Sequence, residues 1–126
     1  MSLLPNAQAV LASGVLGSDE KEILVFLINN AVGKANAKSW KKINAHLRSL
    51  PTPVVMVKQD FQHGLLSHSR ANNYFIGSSN TGFFIIDDLH DARASASYYR
   101  SRIQSETTHL CQLVNIGLAH SPTWIV

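Results

Sequence analysis

Asp87, Asp88, His90 and Asp91 fall within five consecutive residues. Three carboxylates beside an imidazole are donor types that can hold a divalent metal for phosphodiester hydrolysis. The same spacing has a plainer use. Asp87 or Asp88 ahead of Leu89 reads as a helix N-cap, and acids in the first turn suit the positive end of the helix dipole. Capping is the preferred reading, and no metal is expected. His63 and His68 lie five apart and diverge on a helix, so they make no ligand pair. Cys111, the single cysteine, excludes an internal disulfide and a cysteine-based zinc cluster within one chain. It lies on an apolar-rich helix, where a packed thiol is expected rather than a nucleophile. Gly14 and Gly17 are isolated and are not followed by Gly-Lys-Ser or Gly-Lys-Thr, so no phosphate-cradling loop is present. The chain therefore reads as a non-enzyme without a cofactor, and a metal-dependent nuclease ranks third among the functional readings.

Recognition chemistry is better represented. The net charge is +3 at pH 7, but residues 1–33 sum to −2, residues 34–70 to +6 and residues 71–126 to −1. The middle stretch sets Lys34, Lys38, Lys41, Lys42, Arg48, Lys58 and Arg70 against Asp60 alone. A basic segment between mildly acidic ones is the pattern of a phosphate-facing surface, although a solvated helix face carries the same residue types. If Phe61 centres the buried side of a helix, Gln59, His63, Ser67 and Arg70 fall on the other side. Glutamine and arginine can each pair bidentately with a base edge in the major groove. Lys38, Lys41, Lys42 and Lys58 are expected where phosphates pass, positioning a duplex without reading its sequence. Ser78 and Ser79 carry short donors able to reach phosphate oxygens, and they equally suit a turn.

These side chains need elements to hold them. Residues 6–16 suggest a short helix ending at Gly17. Ser18 offers an N-cap for a second helix over residues 19–32, with Ile23, Phe26 and Leu27 at helical spacing and Gly33 as the stop. Ser39 opens the next helix, with Trp40, Ile43 and Leu47 inward and Lys41, Lys42 and Arg48 wet. Leu50-Pro51-Thr52-Pro53 ends it. Residues 54–57 fit either a short strand or the start of a helix. From Lys58 the helical period is clear, with Phe61, Leu65 and Ser69 inward and Asn72-Asn73 as the close. The period then changes to two. Residues 74–77 and 83–86 are aromatic and β-branched runs joined by residues 78–82, which predicts a hairpin.

A last helix is expected from Leu89 towards Gly117. In it Leu89, Ala92, Ala96, Tyr99, Ile103, Glu106, Leu110 and Leu113 recur at steps of three and four, a heptad seam broken at Glu106. Its first half, from Leu89 to Tyr99, is expected to pack on the core. Ile103, Leu110 and Leu113 are expected to meet a second copy, giving a homodimer, and Trp124-Ile125-Val126 to be docked.

Three helices, a hairpin and a closing helix in this order resemble the winged helix-turn-helix superfamily, of the standalone bacterial or phage-associated type. The stretch Tyr74-Phe75-Ile76-Gly77-Ser78-Ser79-Asn80-Thr81-Gly82-Phe83-Phe84-Ile85 carries the resemblance best, and it covers roughly residues 19–105. It implies an α+β, mostly helical fold: a three-helix core plus β-hairpin wing over residues 19–87, and a long C-terminal helix over residues 88–117, within one domain of residues 1–126. It also implies a third helix in the major groove and a wing at the backbone or minor groove. This wing lacks arginine and lysine, so its share is expected to be small. Residues 51–57 are longer than a tight helix-turn-helix turn. The expected function is non-enzymatic binding of double-stranded DNA, as a transcriptional regulator or a mobile-element accessory factor. The alternative is a winged-helix protein–protein interaction module whose basic face takes an acidic partner. With 45% apolar and 15% charged residues the chain reads as globular. Its longest apolar run, residues 23–28, is too short to span a bilayer and its start has no basic leader region, so a cytoplasmic, non-membrane protein is expected.

Overall fold

Apolar spacing and a few caps set the order of elements in the computed structural model. The structure describes residues 3–72 and 74–120, apart from the side chains of Arg70 and His120. Asn73 and the Trp124-Ile125-Val126 tail lie outside the described residues. The fold is α+β: α1 (Leu4–Ser13), α2 (Ser18–Asn30), a 3-10 turn (Lys34–Asn36), α3 (Trp40–Ser49), α4 (Lys58–Phe61), a π turn (Gln62–Leu66), α5 (Ser67–Ala71), β1 (Ile76–Ser79), β2 (Gly82–Ile85) and α6 (Leu89–His120). The chain divides into two compact units, Met1–Ser95 and Ala96–Val126, with the first turns of α6 in the first unit and the rest in the second. Among the described residues no helix is long and apolar enough to cross a membrane.

The core of the first unit is built from Ile23, Leu24 and Leu27 of α2, Ile43 and Leu47 of α3, Phe61, Leu65 and Leu66 of residues 58–71 (the third helical stretch counted from α2), and Tyr74, Ile76 and Ile85 around the hairpin. Each fully buried side chain of this size contributes on the order of 1.5–3 kcal/mol by leaving water. α4, the π turn and α5 run on without a break, so residues 58–71 form one helical stretch. The extra residue in the π turn lets Leu65 and Leu66 both be buried, at 1% and 4% exposure.

The hairpin is antiparallel, with Ile76 opposite Ile85, Gly77 opposite Phe84, Ser78 opposite Phe83 and Ser79 opposite Gly82, turning at Asn80-Thr81. The other edge of β2 is also paired. Val32 bridges Ile85 and Lys38 bridges Phe83, through Gly33 N–H to the Ile85 carbonyl at 2.9 Å, Lys38 N–H to the Phe83 carbonyl at 2.9 Å and Phe83 N–H to the Lys38 carbonyl at 2.8 Å. Gly82 sits at φ +133°, and a Cβ there would overlap the Lys38 carbonyl. Only glycine allows this close approach.

Several expected boundaries move. α1 stops at Ser13, because left-handed Gly14 (φ 73°) rather than Gly17 ends it. Ser18 is the first residue of α2, and the N-cap is Gly17, with no side-chain cap bond. β1 starts and ends two residues later than expected and β2 starts and ends one residue earlier, and Tyr74 is fully buried in the core instead of pairing. Residues 54–57 form neither strand nor helix; Val57 is extended at ψ 152°. Leu89 is 57% exposed, so it does not pack inward. In the first turns of α6 the buried residues are Asp91 and Ser95.

Candidate nucleic-acid interface

Ser39 accepts a hydrogen bond from Lys42 N–H at 3.3 Å and so caps α3. The cap fixes Lys41 and Lys42 in the exposed first turn. Directly behind them Trp40 stacks on Phe61, with ring centroids 5.2 Å apart, and Phe61 meets Phe83 edge-on at 4.9 Å. These three rings join the start of α3 and the end of α4 to β2. Two of the lysines attach to the same hub. Lys58 places its ammonium 5.8 Å from the centre of the Phe83 ring, and Lys38 pairs through its backbone with Phe83. Lys38 and Lys58, twenty residues apart in sequence, thereby attach to one aromatic cluster, and Lys41 and Lys42 directly follow Trp40, a member of it.

Along the third helical stretch, Gln59, His63 and Ser67 are all exposed, while Phe61, Leu65 and Ser69 are buried. The expected division of faces therefore holds for these positions. Ser67 Oγ donates to the Gln62 carbonyl at 3.0 Å, a bond five residues back that matches the widened turn. Arg70 lies on α5, and its side chain is outside the described residues. Asp60 is exposed on the same stretch and puts one acid near this surface. On the back of the stretch His68 Nδ1 and the Tyr74 hydroxyl lie 2.7 Å apart. Burial, with a smaller push from the Glu20 carboxylate, raises the Tyr74 hydroxyl to about 12.

The hairpin serines Ser78 and Ser79 do not face outward to phosphates. Ser78 is 4% exposed and its N–H donates to Ser95 Oγ at 3.2 Å, so it faces the base of α6 and not a phosphate. Burial against α6 removes it from the candidate surface. Ser79 is half-buried, and its hydroxyl is within 2.9 Å of Thr81 Oγ1 and accepts from Thr81 N–H at 3.3 Å. It serves the turn.

Beside the hairpin turn lies an open groove of about 720 Å³, lined by Lys34, Lys42, Thr81, Asp88 and His90 among others. The acids at its floor have structural work. Asp88 Oδ1 accepts from Asp91 N–H at 2.9 Å, which makes Asp88 the cap of α6. The Asp91 carboxylate, 5% exposed, accepts Lys34 N–H at 3.0 Å on one oxygen and Asp87 N–H at 3.1 Å on the other. Among the described residues no group of three or more histidines, cysteines or acids is arranged to hold a metal ion. Asp91 as a clasp and Phe83 as a hub were not legible as such. The only signal for Asp91 was its place three residues after Asp88, which a capping box would share.

In the second unit Ile103, Leu110 and Leu113 are 65%, 60% and 56% exposed. Comparison of the chain with protein-family models, with curated proteins and with solved structures gave no match.

Proposed function

We propose that the first unit is a winged helix-turn-helix domain that binds double-stranded DNA without catalysing its cleavage, as a transcriptional regulator or a mobile-element accessory factor. One observation carries this reading: Gln59, His63 and Ser67 are exposed together on one side of the helical stretch that starts at Lys58, and Lys58 and Lys38 both attach to Phe83, which meets Phe61 of that stretch. Polar side chains with base-pairing chemistry on a helix, and cations suited to phosphates, are the two halves of duplex recognition. The order of three helices and a hairpin, with the hairpin tied back to residues 31–38, supports the winged-helix assignment. The wing contributes turn chemistry and little charge, so the helix and the lysines carry the binding.

A gel-shift titration of random duplex at several salt concentrations tests it. Log affinity should fall with log salt by roughly 0.9 per phosphate neutralised. Replacing Lys41 and Lys42 together by alanine should flatten that slope by about 1.8, two phosphates' worth. No binding at low salt overturns the proposal. A second reading, a protein-interaction module, is favoured by Val55 and Val57, which are 74% and 59% exposed immediately ahead of α4. It takes over if the basic surface ignores duplex.

A further inference from the structure

The second unit presents an apolar face with a particular order of charges. Ile103, Leu110 and Leu113 are all more than half exposed and follow heptad spacing, so they lie on one side of α6. With Tyr99 and Thr107, Ile103 and Leu110 edge a shallow hollow of about 450 Å³ that also includes Arg102 and Glu106. Ionised residues between 96 and 120 are few: Arg100 and Arg102 come first, and Glu106 follows. Arg102 lies over the Tyr98 ring, 5.8 Å from its centroid, at the edge of this face.

We propose that residues 96–113 of α6 pair with the same stretch of a second copy of this chain in antiparallel orientation. The charges decide the orientation. A parallel, in-register pair would set Glu106 against Glu106 within an apolar layer, and such a like-charge contact is unfavourable once desolvated. An antiparallel pair centred between residues 104 and 105 sets Tyr99 opposite Leu110, Ala96 opposite Leu113 and Ile103 opposite Glu106. Glu106 of each copy then lies beside Arg102 of the other. By two-fold symmetry the favourable pair occurs twice. Opposed helix dipoles act in the same direction. The paired stretch is about 25 Å long at 1.5 Å per residue, which spans more than two heptads. The acid that interrupts the apolar seam is thus the residue that fixes its register.

This proposal rests on the second unit alone and does not depend on DNA binding. Sedimentation of the unaltered chain should show a dimer at high micromolar concentration, and a monomer there overturns the proposal. Arg102→Glu should weaken self-association by about tenfold or more, and an equimolar mixture of Arg102→Glu with Glu106→Arg chains should restore dimers. Orientation is read with cysteines in a Cys111→Ser background. Tyr99→Cys chains should form disulfides with Leu110→Cys chains and not with themselves. Like residues at 99 would stand about 16 Å apart, beyond the roughly 7 Å that a disulfide tolerates. Disulfides between like chains, in preference to mixed ones, would overturn the antiparallel arrangement.

Discussion

The Asp91 carboxylate receives amide protons from Lys34 and Asp87, one in the turn after α2 and the other in the corner before α6. Hydrogen bonds to a charged acceptor contribute about 1.5–3 kcal/mol each, and a buried donor left unpaired costs a comparable amount. Asp91→Ala should therefore destabilise the first unit by about 2–4 kcal/mol in chemical denaturation, and Asp91→Asn should cost less, because the amide oxygen keeps one acceptor. An unchanged midpoint for Asp91→Ala would show that the clasp is idle. Tyr74 gives a pH-dependent test. Its hydroxyl, raised from 10.0 to about 12 by burial and secondarily by Glu20, stays protonated in the fold while the unfolded chain ionises. Stability due to this difference is complete below pH 10 and is lost as pH rises from 10 to 12. The loss should be on the order of 2–3 kcal/mol. Tyr74→Phe should flatten the stability profile in that window, and an equal decline in the variant would refute the assignment.

At the scale of elements, the hairpin and its anchor are the most exacting pieces. Gly82→Ala forces a Cβ onto the Lys38 carbonyl and into a φ of +133° that alanine resists. The expected cost is about 2–4 kcal/mol, with Lys38 released from Phe83 and duplex affinity reduced in parallel. Wild-type stability in Gly82→Ala, measured by thermal unfolding, would contradict the pairing of residues 31–38 with β2. Helices α2 and α3, the third helical stretch and the hairpin were all legible in the sequence, because apolar spacing switches from a helical period to alternation near Tyr74. The details that escaped have physical causes. A π turn leaves no periodic mark when two adjacent leucines, Leu65 and Leu66, fit the core together. Counting apolar residues placed Leu89 inward, whereas the phase of α6 is set by hydrogen bonds of Asp91 and Ser95, polar residues that such counting passes over. Ser78 looked like a turn donor because its pairing with Phe83 and burial against Ser95 are long-range facts.

At the scale of the whole molecule, the sequence carried the segregation of charge, but not the means of gathering it. Lys38 and Lys58 attach to one cluster because Trp40, Phe61 and Phe83 pack together, and no local pattern announces that contact. The proposed function needs this surface in the first unit, while the proposed pairing of α6 needs only the second, so the two can fail separately. Amide chemical shifts of the full-length protein, recorded as random duplex is added at low salt, test the central claim most directly. Shifts should concentrate at residues 38–42 and 58–70, move little in residues 96–120, and reverse when salt is raised. An unchanged spectrum at low salt, or shifts that leave residues 58–70 untouched, would contradict recognition of DNA by the third helical stretch.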